Sequence, residues 1–184
     1  MCGLYSIFQR QNLMVVSGLV LLLVSPGHIS REQSRLRVLG VALIALITVA
    51  NMVSLIELIH ALLYGTRAGG RSLVYASVPI WLTNVTVFGL WYWELDRGGP
   101  GARQLPNHRR PDFLFPQMST PGSDPGWTPT FLDYLYTSFT NATAFSPTDT
   151  MPLTAWAKLL MMLQSLASLV TVAVVVSRAV NILH

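Results

Sequence analysis

The stretch that decides the fold is the last third of the chain, residues 131–184, which reads FLDYLYTSFTNATAFSPTDTMPLT and then AWAKLLMMLQSLASLVTVAVVVSRAVNILH. The second part has no charged residue between positions 159 and 177, so with its flanks it can cross the ~30 Å hydrocarbon core of a bilayer as a helix. The first part is too short and too polar to cross, yet it is rich in aromatic residues. This order predicts a half-membrane helix, a polar loop and a membrane-spanning helix.

The junction of these two parts resembles a known family. Residues 138–149 (SFTNATAFSPTD) are similar to the pore helix and selectivity filter of two-helix potassium-channel domains, where an SFTTxTTVGYGD-type run precedes the inner helix. The wider pattern, from about residue 34 onward, resembles a family of uncharacterised multi-pass bacterial membrane proteins. The resemblance implies an ion-channel-like membrane protein with a degenerate potassium-channel pore loop. The positions that match the channel run without gaps are Ser138, Phe139, Thr140, Thr143 and Asp149.

The residues at the filter positions differ from the TVGYG of potassium channels. Ser146 and Thr148 stand where the family has glycines, and Pro147 fixes its own φ at about −65°. Because the glycines supply the backbone conformations that point carbonyl groups at the ion, potassium coordination by this backbone is not expected. Asp149 either caps the last helix, supports the loop or lines an ion mouth. The filter-like loop comprises Thr143, Ala144, Phe145, Ser146, Pro147, Thr148 and Asp149.

Composition places the chain among integral membrane proteins. Of its 184 residues, 52% are hydrophobic and only 11% are charged, whereas soluble domains carry about 25% charge. The net charge of +4 is spread over several loops, which is typical of membrane-flanking charge and does not favour a nucleic-acid partner. Cys2 is the only cysteine, so neither an intramolecular disulfide nor a thiolate metal cluster can form within one chain.

The chain divides into four sections, and the predicted fold class is all-α, an integral membrane helical bundle with a re-entrant pore-helix-like hairpin. Residues 1–37 hold a short apolar helix and a polar connector, and residues 38–94 form a transmembrane helical hairpin. Residues 95–129 are a connector whose seven prolines and five glycines rule out a long helix. Residues 130–184 carry the pore-loop-like half helix and the final span. Three spans are predicted in all, together with the N-terminal helix over 13–24.

Aromatic and charged residues mark the predicted edge of the membrane. The run Trp91, Tyr92 and Trp93 is interpreted as an aromatic belt at the headgroup level, followed by Glu94 and Asp96 in water. The aromatic residues Phe113, Phe115 and Trp127 indicate that the connector lies across the surface of the protein or the membrane rather than extending freely. Orientation stays open, because the pore-loop resemblance places this connector outside whereas the positive-inside rule places it in the cytoplasm.

Five polar residues of the predicted spans are candidates for function or for helix contacts. Glu57 and His60 are spaced like the Glu-x-x-His of di-metal bundles, but that motif needs copies on other helices, so no metal is predicted. They are interfacial or structural groups, or they line a polar cavity. The others are predicted to join helices by hydrogen bonds rather than to form a substrate path. The intramembrane polar candidates are Asn51, Glu57, His60, Asn84 and Gln164.

The predicted function is that of a channel-like protein of the cell membrane. Its partners would be the lipid bilayer, further copies of itself around a shared axis and a monovalent cation, with no cofactor and no nucleic acid. The alternative is a non-conducting structural or regulatory membrane subunit. A conventional enzyme is not expected, and the rival hypothesis is a membrane enzyme that uses Glu57, His60 and Asp149 as acid–base groups.

Overall fold

A computed structural model describes residues 31–64, 70–105, 109–120, 122, 126–143 and 149–182. The described chain is mostly helical, as predicted, with one short pair of strands. The predicted helix over 13–24 and the filter-like positions 144–148 lie outside the described residues. In chain order the elements are α1 (Arg31–Leu63), α2 (Gly70–Leu95), a 3-10 turn (Asp96–Gly98), α3 (Pro100–Arg103), β1 (Phe113–Leu114), α4 (Pro116–Ser119), α5 (Phe131–Thr143), β2 (Met151–Pro152) and α6 (Ala155–Ile182).

Two of the described helices are long and apolar enough to cross a membrane, over Arg37–Leu63 and Ala155–Ser177. The first belongs to α1, which begins at Arg31, so part of the predicted polar connector is helical. The third predicted span also forms a helix, α2, which continues through Pro79. Its passage through a membrane stays a prediction.

The chain separates into two compact units. The first contains α1, α2 as far as Asn84, and α6 from Ala167 onward. The second runs from Val85 to Leu166, so it combines the predicted connector with the half helix and its flanking helix ends. The four sections read from the sequence therefore do not coincide with the compact units, because the connector packs as part of one unit instead of separating two.

In the first unit, aliphatic side chains of α1, α2 and α6 form one buried cluster. Its fully buried members come from one face of each helix, as the 3.6-residue period of an amphipathic helix requires. They are Leu55, Leu58, Ile80, Ala167 and Val174.

The core of the second unit is aromatic and takes its members from the connector as well as from the helices. Phe113 and Phe115 are almost completely buried, so the connector packs against the rest of this unit through its aromatic residues and does not extend freely, as predicted. They pack against Tyr134 with ring centroids 6.3 and 5.2 Å apart, in the edge-to-face arrangement that aromatic rings prefer. Tyr92 is also fully buried and lies 4.9 Å from the ring of Phe113, so this member of the predicted aromatic belt faces protein.

A two-stranded antiparallel pair connects the connector to the segment that precedes α6. Phe113 pairs with Pro152, and Leu114 pairs with Met151. Because Phe113 is buried beside Tyr134, the strand pair also holds the start of α6 next to the aromatic core. The all-α prediction missed this pair, whose strands are only two residues long.

Candidate functional site

The candidate site is built around α5, the helix that corresponds to the predicted half helix. Thr130 and Asp133 fix its start, because the backbone N–H and the hydroxyl of Thr130 both donate to Oδ2 of Asp133 at 2.7 Å. This is the reciprocal half of a capping box, in which the side chain three residues into the helix bonds back to the N-cap. The helix ends at Thr143, one turn after Thr140, whose carbonyl accepts the Thr143 hydroxyl at 2.9 Å. Thr143, predicted as the first residue of the filter-like loop, is therefore helical.

The two faces of α5 are the reverse of those of a helix in a water-soluble protein. The buried face is mostly hydroxyl-bearing, and the exposed face is apolar or aromatic, with Leu132, Tyr136 and Phe139 all about half exposed or more. In water such a helix would turn its apolar stripe inward. A contiguous exposed apolar face marks a surface that contacts membrane or protein. The buried residues are Tyr134, Thr137, Ser138, Thr140 and Ala142.

Gln164 is the centre of a buried hydrogen-bond network between α5, α6 and α2. Its amide nitrogen donates to the carbonyl and the hydroxyl of Ser138 at 2.9 and 2.6 Å. Its amide oxygen accepts from the hydroxyl of Tyr92 at 2.5 Å and from Nδ2 of Asn141 at 2.8 Å. Because Gln164, Ser138 and Tyr92 are fully buried, the bonds among them prevent the cost of a buried polar atom without a partner.

Neighbouring side chains extend this network to the backbones of the helices. The hydroxyl of Ser138 donates to the carbonyl of Val85 at 2.6 Å, and Asn141 Nδ2 donates to the carbonyl of Met161 at 3.0 Å. Ser165 Oγ in turn donates to Asn141 Oδ1 at 3.1 Å. The network therefore attaches α5 to both neighbouring helices through fixed geometry. The prediction that Gln164 joins helices agrees with this placement.

Close packing of α2 against α5 depends on Gly89. A Cβ atom added at this position would lie 3.2 Å from the Cα of Leu135 and 3.3 Å from its Cδ1. Backbone atoms cannot move aside as a flexible side chain can, so the glycine allows the approach of the two helices. The hydrogen bond of Ser138 to Val85 lies one turn away on both helices.

A second buried network contains the charged groups where α2 ends. Asp96 is fully buried, so the prediction that it marks the exit into water is wrong. Its Oδ1 accepts the N–H of Asp112 at 2.8 Å, and its Oδ2 accepts the hydroxyl of Tyr134 at 2.6 Å. Asp112 Oδ2 accepts the N–H of Arg97 at 2.9 Å, and Arg97 Nε lies 3.4 Å from Asp96 Oδ2. We call these four residues the Asp96 cluster.

The backbone at the Asp96 cluster is unusual. Arg97, Gly98 and Gly99 have φ values of 54°, 85° and 103°. Left-handed backbone is unfavourable for a residue with a Cβ, so the arginine must be held there by its surroundings. The N–H of Arg97 bonded to Asp112 is one such constraint. The two glycines explain why the chain can leave α2 by this turn, since glycine adopts positive φ at no steric cost.

Arg103 covers the cluster from α3. Its Nη1 donates to the carbonyls of Trp93 and Asp96 at 2.6 and 3.3 Å. Its guanidinium carbon lies 4.3 Å from the centre of the Trp93 ring and 5.1 Å from that of Tyr134, which is cation–π geometry. Burial lowers the pKa of Arg103 below its ordinary value, and it raises the pKa of the Tyr134 hydroxyl, with the nearby Asp96 carboxylate acting in the same direction.

The structure places the residues predicted from the sequence in different surroundings. Asn51 and Asn84 are buried in the first unit, whereas Glu57 and His60 are exposed on α1, where His60 stacks on Tyr64 with centroids 5.3 Å apart. Asp149 is exposed in a bend before β2. It does not cap α6, because Thr154 occupies that position and its Oγ1 accepts the N–H of Ala157 at 3.3 Å.

Sequence reasoning missed the Asp96 cluster and the roles of Tyr92 and Asn141. A signal was present in the run ELDRGGP, where a charged pair precedes two glycines and a proline, but its partners lie far along the chain. Within the described part of the chain, no group of three or more His, Cys, Asp or Glu residues could hold a metal ion. Comparison with protein-family models, with curated proteins and with solved structures finds no match for this chain.

Proposed function

We propose that this chain is an integral membrane protein related in architecture to the pore domains of potassium channels, and that several copies conduct a monovalent cation with weak or altered selectivity. The observation that carries the proposal is the reversed amphipathicity of α5. A short helix with hydroxyl groups inside and Leu132, Tyr136 and Phe139 outside suits a half-membrane helix packed between spanning helices. The order half helix, polar loop and apolar helix α6 gives further support.

In this proposal the loop between α5 and β2 faces an axis shared by the copies. The polar networks anchor α5 to α2 and α6, so the C-terminal end of α5 is held in place beside both helices. The negative end of the helix dipole at Thr143 would favour a cation nearby, because the carbonyl groups of the last turn of a helix point outward from its C-terminal end. Asp149, exposed after the loop, would attract cations to the mouth of the pathway.

The direct test is ion flux from liposomes that contain the purified chain. We expect the native chain to release a potassium or sodium gradient, Asp149→Asn to reduce the cation flux, and Ser146→Trp to block it. Asp133→Asn is a control, because this carboxylate is used for the start of α5, at the opposite end from the loop. Flux that neither Asp149→Asn nor Ser146→Trp alters would contradict the pore assignment.

A second candidate function is a non-conducting structural or regulatory membrane subunit. One observation favours it: Gln164, Asn141 and Ser138 use their hydrogen-bonding groups on one another and on helix backbones. Groups used in this way stabilise helix packing and do not line an ion pathway, so any such lining would have to come from the loop. This function predicts that vesicles carrying the folded chain hold their ion gradients.

The enzymatic rival requires acid–base work by Glu57, His60 and Asp149. It predicts a pH-dependent turnover that each of three alanine substitutions abolishes. A chain that conducts ions equally well after Glu57→Ala and His60→Ala would favour the channel proposal instead.

A further inference from the structure

The exposed residues of α1 follow a regular pattern along the helix. They recur at alternating steps of three and four, which is the a and d spacing of a coiled coil. Between positions 39 and 64, the only other exposed residues are Glu57 and Tyr64, which flank the same line. We call this line the α1 seam; it comprises Leu39, Ala42, Leu46, Val49, Val53, Ile56, His60 and Leu63.

The opposite side of α1 is already occupied within the chain. The buried residues of the helix fall between the seam positions, at the places that an a and d seam leaves on its far side. Two of them, Leu55 and Leu58, belong to the cluster of the first unit. One face of α1 therefore holds the chain together, and the seam is left for another occupant. The buried residues are Ile44, Ile47, Asn51, Leu55 and Leu58.

We infer that the α1 seam is the contact surface for a second copy of this chain, with the two α1 helices parallel in the membrane. The polar residues on and beside the seam, His60 and Glu57, decide against lipid as the occupant. Glu57 is exposed six residues before the end of the helix, about 9 Å along its axis. A carboxylate that faces hydrocarbon is strongly unfavourable, and glutamate is shorter than the lysine and arginine side chains that reach the interface.

The pair Glu57 and His60 makes the seam complementary to itself. A carboxylate accepts hydrogen bonds and an imidazole donates one, and the two groups lie one turn apart on the same side of α1. In a two-fold contact, residue i of one copy meets residue j of the other and the reverse also holds. The carboxylate of Glu57 in each copy would therefore meet the imidazole of His60 in the other copy, while the aliphatic seam residues supply close packing.

This inference rests on the membrane placement in the proposed function but not on conduction. Copies arranged as a ring around a pore meet through two unlike surfaces, whereas the α1 contact is two-fold and joins copies in pairs. Pairing through α1 and assembly around a pore are therefore separate contacts that can be tested separately.

Disulfide cross-linking tests the seam in the full chain. Single cysteines are placed in a Cys2→Ser background, and the protein is reconstituted at low density into phosphatidylcholine and phosphatidylglycerol liposomes and oxidised. We expect a cross-linked dimer for Val49→Cys, Val53→Cys and Ile56→Cys. We expect none for Ser54→Cys, which lies off the seam, and little for Leu82→Cys, which is exposed and apolar but lies on α2. Retained helical circular dichroism shows that each variant is folded.

The polar pair is tested in the Val53→Cys background. Glu57→Gln and His60→Gln should each lower the dimer association constant by roughly threefold to tenfold, the range expected for hydrogen bonds between membrane helices. Ser54→Ala, a neighbouring change outside the seam, should leave it unchanged. Combining Glu57→His with His60→Glu should restore dimerisation, which a nonspecific loss of packing would not allow.

Three results would overturn the inference. The first is equal cross-linking at Leu82 and at the seam, and the second is seam cysteines that react only with a lipid-soluble reagent. The third is a dimer association constant that does not change when Glu57 or His60 is replaced. Flotation of the liposomes reports membrane placement, and ion flux reports conduction. Cross-linked pairs without flux would leave the α1 contact standing and remove the channel. Flux without seam cross-links would leave the channel standing and remove the α1 contact.

Discussion

The hydroxyl of Tyr134 donates a 2.6 Å hydrogen bond to Oδ2 of Asp96, and both side chains are fully buried. The bond joins α5 to the turn that ends α2, across 38 positions of sequence. Because a hydrogen bond to a buried charged group is stronger than a neutral one, this contact should contribute substantially to holding α5 in place.

Tyr134→Phe should therefore destabilise the protein by about 1.5–3 kcal/mol, the range for a hydrogen bond to a charged group. The measurement is the free energy of unfolding in detergent micelles. Tyr136→Phe is the matched control, since that tyrosine lies two residues away on the same helix with 54% of its surface exposed. Equal effects of the two changes would show that the Asp96 bond contributes nothing specific.

The same tyrosine should make stability depend on alkaline pH. Its pKa in the folded protein is raised above the value of about 10 in the unfolded chain, chiefly by burial. The folded state thus keeps a proton that the unfolded state loses, so this contribution to stability is fully present below pH ~10 and decreases as the pH rises further. Unfolding measured against pH should show a weaker alkaline decline in Tyr134→Phe than in Tyr136→Phe.

Replacing Gln164 should release α5 from its neighbours. Gln164→Leu keeps a side chain of similar size but leaves the hydroxyl of Tyr92 without its acceptor, and the carbonyl of Ser138 loses the donor Nε2. Each buried polar group left unsatisfied costs about 1–3 kcal/mol, so loss of stability should exceed that of a single bond. Hydrogen exchange in α5 is the sharpest measurement, because it reports local opening.

The control for that change is Leu163→Ala, which shortens a half-exposed neighbour on α6 and removes no hydrogen bond from the network. Exchange in α5 should rise in Gln164→Leu and stay near the native rate in Leu163→Ala. If both variants exchange at the same rate, the Gln164 network does not hold α5.

Two glycines within helices should respond in opposite directions to alanine. Gly40→Ala places a methyl group where nothing lies within 4 Å, so better helix propensity should stabilise the protein by up to about 1 kcal/mol. Gly89→Ala gains the same propensity but forces a Cβ to 3.2 Å from the backbone of Leu135, and overpacking typically costs about 1–3 kcal/mol. Thermal unfolding of the two variants compares them directly, and stabilisation by Gly89→Ala would show that α5 can move away.

The main helices could be predicted because their signals are local. The apolar run of α6 was long enough to define a helix that the structure places at Ala155–Ile182, and the aromatic spacing after Pro129 predicted α5. The start of α1 was missed, because Arg31 and its neighbours are polar enough to resemble a loop while still favouring a helix. Periodicity detects the regular spacing of apolar residues, and the polar sequence of this first turn offers no such spacing.

The site was harder to predict because the residues that form its hydrogen bonds are distant from one another in sequence. Gln164 was identified as a residue that joins helices, since a single amide in an apolar run needs a partner, but Ser138 and Asn141 could not be assigned to it. Asp96 was placed in water, because a carboxylate after an aromatic run usually leaves the membrane. Its burial depends on Tyr134 and Asp112, which tertiary packing alone brings to it.

The strand pair between Leu114 and Met151 has a consequence for the order of folding. It closes a loop of 37 positions with strands of two residues each, and closing a loop of that length costs chain entropy that so short a pair cannot offset by itself. The pair therefore forms only after α5 has docked and brought its two ends together. In reverse, the connector and the segment before α6 should open as one cooperative step and expose both strands to proteases at the same moment.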